Sequence, residues 1–229
     1  IEQIQVNVAP FDVRQSGFTG GSINAITKSG TNKFHGSLYG FGNNQSLIGH
    51  HYPYSDGTGY APKYQKQQEY QWGMTLGGPI IKNKLFVNYE NTNKTYPNLN
   101  GYRQSGSRVN PDEADDVMQK IKDMAQRQGL SYDGTFANPD IYTKSNKFGA
   151  KIDWNINDFN KFSFRWSYVD AKQLNVVSSA SSLNDDHYYF PFTSKTNSFT
   201  AELQSRLSPV VSNEARVSYV RVRDKRNVS

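Results

Sequence analysis

The segment "KFSFRWSYV", residues 161–169, alternates between aromatic and polar residues as far as Tyr168. Its aromatic positions share one parity: Phe162, Phe164, Trp166 and Tyr168. Its polar positions share the other: Ser163, Arg165 and Ser167. Because successive side chains of a β-strand point to opposite faces, the segment predicts a strand with one aromatic face and one polar face.

The same period of two recurs in five further segments. They are "EYQWGMTLGG" (69–78), "LFVNYE" (85–90), "KFGAKIDWN" (147–155), "SFTAELQSRL" (198–207) and "EARVSYVRVR" (214–223). Phe86 falls on the polar parity of its segment. In the last segment Val220 and Val222 take the polar parity and Arg221 and Arg223 the apolar one, so we expect a bulge or a strand that leaves the apolar zone. "FHGSLYGF" (34–41) has apolar residues on both parities.

Composition narrows the classes of protein that fit this pattern. The chain has 229 residues, no Cys, 35% apolar residues, 14% aromatic residues and a net charge of +6. No window approaches the roughly 20 apolar residues of a membrane helix. Disulfides and thiolate metal sites are excluded. Alternating strands remain compatible with either a soluble antiparallel sandwich or a transmembrane β-barrel.

Loop lengths favour the barrel. We predict strands near residues 34–43, 69–78, 83–92, 145–154, 161–170, 197–206 and 213–222. Their connections alternate between short turns ("PIIK", "NINDFN" and "LSPVVS") and long polar loops near 44–68, 93–144 and 171–196. Outer-membrane barrels have short periplasmic turns and longer extracellular loops, whereas a sandwich has no reason to sort its loops in this way.

In a barrel, the apolar and polar positions of each strand have different surroundings. We expect the following side chains to face lipid: Trp72, Phe148, Trp154, Phe162, Phe164, Trp166 and Tyr168. We expect charges of both signs to line a wet lumen: Lys151, Asp153, Arg165, Glu202, Arg206 and Arg216. The fold class predicted is all-β, an antiparallel meander that forms part of a transmembrane β-barrel.

Three stretches resemble a known family. "IEQIQV" (1–6), "GFTGGSINAITKSGTNKFHGSLYGF" (17–41) and "LGGPIIKNKLFVNYE" (76–90) are similar to the passage from plug to barrel in TonB-dependent outer-membrane receptors, particularly the Oar-like branch. The resemblance covers roughly residues 1–90. It implies residence in the outer membrane of a Gram-negative bacterium, with an N-terminal plug domain inside a 22-stranded barrel.

The resemblance also implies a division of the chain. Residues 1–33 would be the C-terminal part of the plug and the hinge, and residues 34–229 the first seven or so barrel strands. The plug and hinge positions are Gly20, Gly21, Asn24, Lys28 and Gly30. Glycines suit this junction because they allow close backbone approach or positive φ. We expect three residues of this region to lie near the lumen wall: Arg14, Asn24 and Lys28.

Function and partners follow as expectations from the family. The ligand would be extracellular and would bind between loops and plug, and a TonB-type protein would supply energy through an N-terminal region that precedes Ile1. Other expected partners are outer-membrane lipid, and either the barrel-insertion machinery or a surface lipoprotein. Because the chain opens directly in a strand-like segment and has too few strands for a barrel, we expect it to be an internal piece of a longer protein.

The long loops contain a helix and several candidate contact residues. "NPDEADDVMQKIKDMAQRQG" predicts a helix in the long extracellular loop with Asn110 as N-cap, Pro111 at its first position and Gly129 at its end. Its apolar stripe is predicted to be Val117, Ile121 and Met124. Candidate ligand-contacting residues in the loops are Tyr52, Tyr60, Tyr102 and Tyr189. His50 with His51, and Asp185 with Asp186 and His187, are weak cation candidates that fit loop packing better.

The sequence shows no catalytic constellation and no cofactor motif, so we expect neither an enzyme nor a cofactor. Nucleic-acid binding is not expected, because the basic residues are dispersed except in "RVRDKR". Two alternatives stay open: an extracellular β-rich adhesin or carbohydrate-binding module, and a truncated barrel fragment that is a substrate of the outer-membrane insertion machinery.

Overall fold

The structure is a computed structural model that describes residues 3–8, 21–26, 31–48, 65–80, 83–99, 101–103 and 108–227. Its first two strands are β1 (Gln3–Val8) and β2 (Gly21–Ile26). The next strands are β3 (His35–Asn44), β4 (Gln68–Ile80), β5 (Asn83–Tyr96), β6 (Ile141–Asn157), β7 (Asn160–Asn175), β8 (Phe190–Arg206) and β9 (Ser212–Arg226). Helix α1 (Pro111–Arg127) lies between β5 and β6, and a short 3-10 helix (Asp186–Tyr188) precedes β8.

The strands form two separate sheets. β1 and β2 make an antiparallel two-stranded sheet, and β3 to β9 make a seven-stranded antiparallel meander in chain order. The seven strands predicted from the alternation are therefore confirmed. In the described part of the chain no second sheet is paired with the meander, and its two edge strands, β3 and β9, do not pair with each other.

The strands are longer than predicted, mainly toward the long loops. β5 continues to Tyr96, β6 begins at Ile141, β7 continues to Asn175 and β8 begins at Phe190. The extension of β5, "ENTNKTY", is largely polar on both faces, and those of β6 ("IYTK") and β8 ("FPFTSKT") mix apolar and polar residues, so the extensions carry no sustained alternation of hydropathy. Backbone pairing nevertheless continues through them, because each residue offers the same donor and acceptor whatever its side chain.

The short turns close the other end of the sheet. Between β6 and β7, the Asn157 Oδ1 atom accepts hydrogen bonds from the backbone N–H groups of Phe159 (2.9 Å) and Asn160 (2.8 Å). Asn side chains commonly build such local turns. The turn between β8 and β9 contains a hydrogen bond from Leu207 N to Val211 O of 2.9 Å. The turn at residues 81–82 lies outside the described residues.

The pairing register corrects one expectation. β9 pairs with β8 without interruption from Arg206↔Ser212 to Phe192↔Arg226, so no bulge causes its phase inversion. A register shift occurs instead between β6 and β7, at Asn155/Asn157, beside the tight turn. Arg221 and Arg223 therefore stand on the same face as Tyr219.

Helix α1 begins and ends as predicted. The Asn110 Oδ1 atom accepts from Asp112 N at 3.1 Å, and Gly129 adopts a φ of +72° just after the helix. The predicted apolar stripe is wrong, however. Ala114 and Met118 are the buried residues, whereas Val117 and Met124 are exposed. The helix packs on its loop through residues four apart, which lie on one face.

Within the described residues, no helix is both long enough and apolar enough to cross a bilayer.

Candidate membrane wall and loop cluster

One face of the seven-stranded sheet carries large apolar side chains in register across the strands. We call it the aromatic face. One cross-strand row is Val87↔Ala150↔Trp166↔Phe199↔Tyr219, and the next is Leu85↔Ile152↔Phe164↔Ala201↔Val217. The pairings Leu38↔Met74 and Met74↔Tyr89 extend the face to β3 and settle which parity of that strand belongs to it.

Rings contact one another along this face. Centroid distances are 5.0 Å for Trp72–Tyr89, 5.0 Å for Tyr89–Phe148 and 6.5 Å for Phe148–Trp166. Aromatic pairs at such separations contribute beyond their buried area. The structure thus puts all seven residues predicted to face lipid on one face: Trp72, Phe148, Trp154, Phe162, Phe164, Trp166 and Tyr168.

The opposite face, which we call the polar face, holds hydrogen-bonded charges. Glu90 accepts from the Tyr39 hydroxyl at 2.9 Å and from Lys147 Nζ at 2.6 Å. Glu202 accepts from Arg216 Nε at 3.0 Å. The glutamates of this face are therefore neutralised by cations on neighbouring strands.

Close packing on the polar face depends on glycine. Tyr39 crosses over Gly73 to reach Glu90, and a Cβ atom at Gly73 would lie 2.5 Å from the Tyr39 hydroxyl oxygen. Phe86, which breaks the alternation of its strand, lies beside Gly77 and is only 7% exposed. Sequence periodicity could not predict this accommodation, because it requires a glycine on the paired strand.

The exposures of the two faces are inverted relative to a soluble protein. Trp72 and Phe148 are 40% and 45% exposed, whereas the side chains of Glu90 and Glu202 are 21% and 20% exposed. A soluble sandwich would cover the apolar face with a second sheet. In the described residues no strand packs there, so a large apolar surface remains open, which marks an interaction site.

The long-loop end contains a cluster that joins two loops. The Asp186 carboxylate accepts from Thr135 N at 3.0 Å and from Thr135 Oγ1 at 2.6 Å. Asp185, which is buried, accepts from the Tyr132 hydroxyl and from His187 Nδ1, the latter at 2.6 Å. His187 Nε2 lies 3.3 Å from Asp133. We call these contacts the loop latch, because they connect the β5–β6 loop to the β7–β8 loop.

Charge in the loop latch shifts the pKa values of its members. The hydrogen bond to Asp185 raises the pKa of His187, and attraction to Asp185, Asp133 and Asp186 adds to it. Burial alone would raise the pKa of Asp186, but the hydrogen bonds from Thr135 outweigh it and lower that pKa. The oxygen atoms that could ligate a cation are thus engaged in loop packing.

The candidate ligand contacts have different surroundings. Tyr102 donates to Asp115 and accepts from Arg103 Nε at 2.8 Å, beside helix α1. Tyr189 is 8% exposed and its hydroxyl lies 2.5 Å from Ser178 Oγ, so it belongs to the packing of its loop and is not displayed on the surface. Tyr52, Tyr60, His50 and His51 lie outside the described residues.

The structure describes two of the positions predicted for the plug and hinge. Gly21 and Asn24 belong to β2, where they pair with Val8 and Gln5 of β1. The other positions named from the sequence, Arg14, Gly20, Lys28 and Gly30, lie outside the described residues.

Comparisons with known proteins agree with this architecture. A family model described as an outer membrane beta barrel domain matches residues 26–100 and 88–229. The TonB-dependent transporter Oar of Myxococcus xanthus is 44% identical over 69 residues, which make up 30% of this chain and 6% of that protein. No solved structure matches.

These findings confirm the resemblance to Oar-like TonB-dependent receptors and the location in the Gram-negative outer membrane. The relative is named as a transporter, and the matched domain is a barrel, which is not an enzymatic family. The matched residues span most of the chain. The chain therefore belongs to the outer membrane β-barrel family.

Proposed function

We propose that this chain forms part of a TonB-dependent transporter that takes up an extracellular ligand through a plugged barrel. The observation that carries the proposal is the inverted sheet, whose aromatic face exposes large apolar side chains while Glu90 and Glu202 on the other face are half-buried and paired with cations. Similarity to a protein named as a TonB-dependent transporter supports it.

The physical argument concerns what each face can contact. Lipid tails accept exposed apolar rings but cannot solvate charge, and a wet lumen accepts paired charges. A sheet with these two faces fits a wall between lipid and water. The aromatic face, from Trp72 on β4 to Trp166 on β7, would contact the hydrocarbon, and the polar face around Glu90 and Glu202 would line the lumen.

The plug assignment is part of the same proposal. β1 and β2 form their own small sheet, which is not hydrogen-bonded to the seven strands in the described residues. Residues 1–33 would then be the end of the plug and the hinge, with Gly20, Gly21, Asn24, Lys28 and Gly30 at the junction. A TonB-type protein would act on this plug from the inner membrane.

Two experiments on the intact protein test the proposal. Deletion of residues 21–26 should make cells permeable to large polar antibiotics, because it removes a strand of the plug. Deletion of the helix at residues 111–127 is the control, and it should leave permeability unchanged. Equal resistance of both deletion strains would contradict the plug assignment.

Energy coupling is tested without knowledge of the ligand. Cells that lack this protein and cells that lack the TonB-type protein should fail to deplete the same solute from the medium, measured by mass spectrometry. A solute whose uptake needs this protein yet continues without the TonB-type protein would contradict the transport mechanism.

A further inference from the structure

We propose that the long-loop end of the aromatic face binds the phosphate groups of an anionic glycolipid in the outer leaflet. The inference rests on the proposed membrane wall, but it does not depend on transport. The residues that carry it are six exposed cations on β6 to β9, which we call the cationic patch: Lys144, Lys172, Lys195, Arg221, Arg223 and Lys225.

The continuous register of β8 and β9 builds this patch. Tyr219 pairs with Phe199, and the next residues of the same face on β9 are Arg221, Arg223 and Lys225. Successive residues on one face lie about 6.6 to 6.8 Å apart along a strand. On β9 the cations therefore begin one step after its last aromatic residue, and Arg221 continues the row that contains Phe148 and Tyr168 on neighbouring strands.

Two pairs of like charges lie directly opposite each other in the patch. Lys144 pairs with Lys172 across β6 and β7, and Lys195 pairs with Arg223 across β8 and β9. Like charges in directly opposed cross-strand positions are destabilising. Lys144 and Lys172 also both approach the Tyr142 ring, at 5.4 and 5.5 Å from its centroid. A bound anion would relieve this repulsion.

The protein itself supplies little negative charge here. Asp170 lies 3.4 Å from Lys195. Among the described residues, no carboxylate forms an ion pair with the other five cations. On the polar face, by contrast, Lys147 and Arg216 each contact a glutamate.

The patch is confined to one end of the aromatic face. In β3 to β9, as far as the structure describes them, every Lys or Arg of this face lies toward the long loops. In outer-membrane barrels the long loops are extracellular, so the patch would lie at the outer leaflet. Arginine binds phosphate in a bidentate manner and lysine binds it as a point charge, so the patch suits the phosphate groups of a lipid head group.

The test measures lipid binding to the intact protein in neutral detergent micelles. The protein is titrated with diphosphoryl lipid A or with its dephosphorylated form, and bound lipid is counted by native mass spectrometry. The test variant is Lys144→Gln/Lys172→Gln/Arg223→Gln. Since each cation near an anionic surface contributes roughly fivefold to binding, we expect on the order of 100-fold weaker binding of the diphosphoryl lipid.

Matched variants separate the patch from net charge and from misfolding. Lys84→Gln/Lys161→Gln/Arg206→Gln removes the same charge from the polar face near the short turns and should bind as the parent does. Lys144→Arg/Lys172→Arg/Arg223→Lys should also retain binding. Equal binding by the test variant, equal loss in the polar-face control, or no preference for the phosphorylated lipid would each overturn the inference.

A probe in the same sample distinguishes this inference from the proposed wall. A fluorophore on Phe164→Cys should be quenched by brominated lipid in every variant, because the patch lies away from the hydrocarbon rows. Quenching without phosphate preference would refute the patch alone. Absence of quenching would refute the wall, and with it the basis of the patch. Displacement of the lipid by a soluble polyanion of equal charge would show a general anion surface and overturn the lipid assignment.

Discussion

On the polar face of the sheet, Glu90 lies between Tyr39 and Lys147, and Glu202 holds Arg216. On the aromatic face, cations stand opposite cations at the long-loop end, as Lys144 and Lys172 do. The same seven strands therefore pair their glutamates with cations on one side and leave most of the cations on the other side without a carboxylate partner in the described residues. The polar face is thus largely completed by the protein itself, whereas the aromatic face, in our proposals, is completed by lipid tails at its centre and by anions at its long-loop end.

The contrast between the two faces is tested most severely by a charge that is introduced at the centre of the aromatic face. Ala201→Arg should destabilise the folded protein by roughly 2–4 kcal/mol, the range for a cation at the lipid face near the bilayer midplane. The adjacent Thr200→Arg places the same side chain on the polar face and should cost far less. Urea unfolding in lipid vesicles, followed by tryptophan fluorescence, measures both. Equal costs would show that the faces have the same environment.

A second change disturbs packing on the polar face. Gly73→Val should cost about 1–3 kcal/mol, because its side chain would collide with the Tyr39 ring and with the Tyr89 carbonyl oxygen. It should also release Tyr39 from Glu90. Gly42→Val is the matched control, since nothing lies within 4 Å of a Cβ atom there. The same unfolding assay applies, and an unchanged stability of the Gly73 variant would contradict the packing described.

A smaller effect tests whether the polar face neutralises itself. The Glu90–Lys147 pair lies at 2.6 Å, but the Lys147 side chain is about half exposed. A double-mutant cycle with Glu90→Gln and Lys147→Gln should therefore give a coupling of about 0.2–1 kcal/mol. The corresponding cycle with Lys144→Gln and Lys172→Gln should show coupling of opposite sign, because those charges repel. A favourable coupling between the two lysines would remove the contrast between the faces.

The smallest expected effect concerns the loop latch above the sheet. The pKa of His187 is raised, so the folded loops hold its proton more tightly than the unfolded chain does. The stabilisation should be complete below about pH 6.5 and should be lost as pH rises through the folded pKa. Hydrogen exchange of residues 132–135 and 185–189 should therefore quicken with rising pH beyond the intrinsic rate.

The matched variant for this pH effect is His187→Gln, which cannot gain a proton. Its exchange in the same two segments should follow only the intrinsic pH dependence of the amides. Parent and variant profiles that coincide would show that His187 does not hold the two loops together.

The wall could be predicted from sequence and the loops could not. Alternation places Phe164 and Arg165 on opposite faces whatever the strand pairs with, so the faces of six of the seven strands follow from periodicity, and only the pairing of β3 assigns the seventh. Strand ends beyond the aromatic rows have no sustained alternation and leave no such signal, as in "ENTNKTY" of β5 and "IYTK" of β6. Contacts such as Asp186 with Thr135 join residues 51 positions apart, and no local pattern reports them.

The pairing register of β8 and β9 explains the phase inversion of the last strand. The phase inversion at Arg221 and Arg223 fits a bulge as well as a change of surroundings when only the sequence is considered. Uninterrupted pairing with Asn197 and Lys195 removes the bulge and leaves both arginines on the aromatic face. The sequence also did not predict which face of α1 is buried, because that depends on the packing of its loop. Met118 is buried there and Val117 is exposed.

The central claim, that the aromatic face contacts lipid and the polar face contacts water, is tested most directly by labelling neighbouring positions. Because the chain has no Cys, Phe164→Cys and Arg165→Cys can be introduced singly into the intact protein and examined in membranes. We predict that a water-soluble thiol reagent labels Cys at position 165 and that a lipid-phase quencher reaches only a probe at position 164. Aqueous labelling of both positions, or lipid quenching of neither, would contradict the membrane wall.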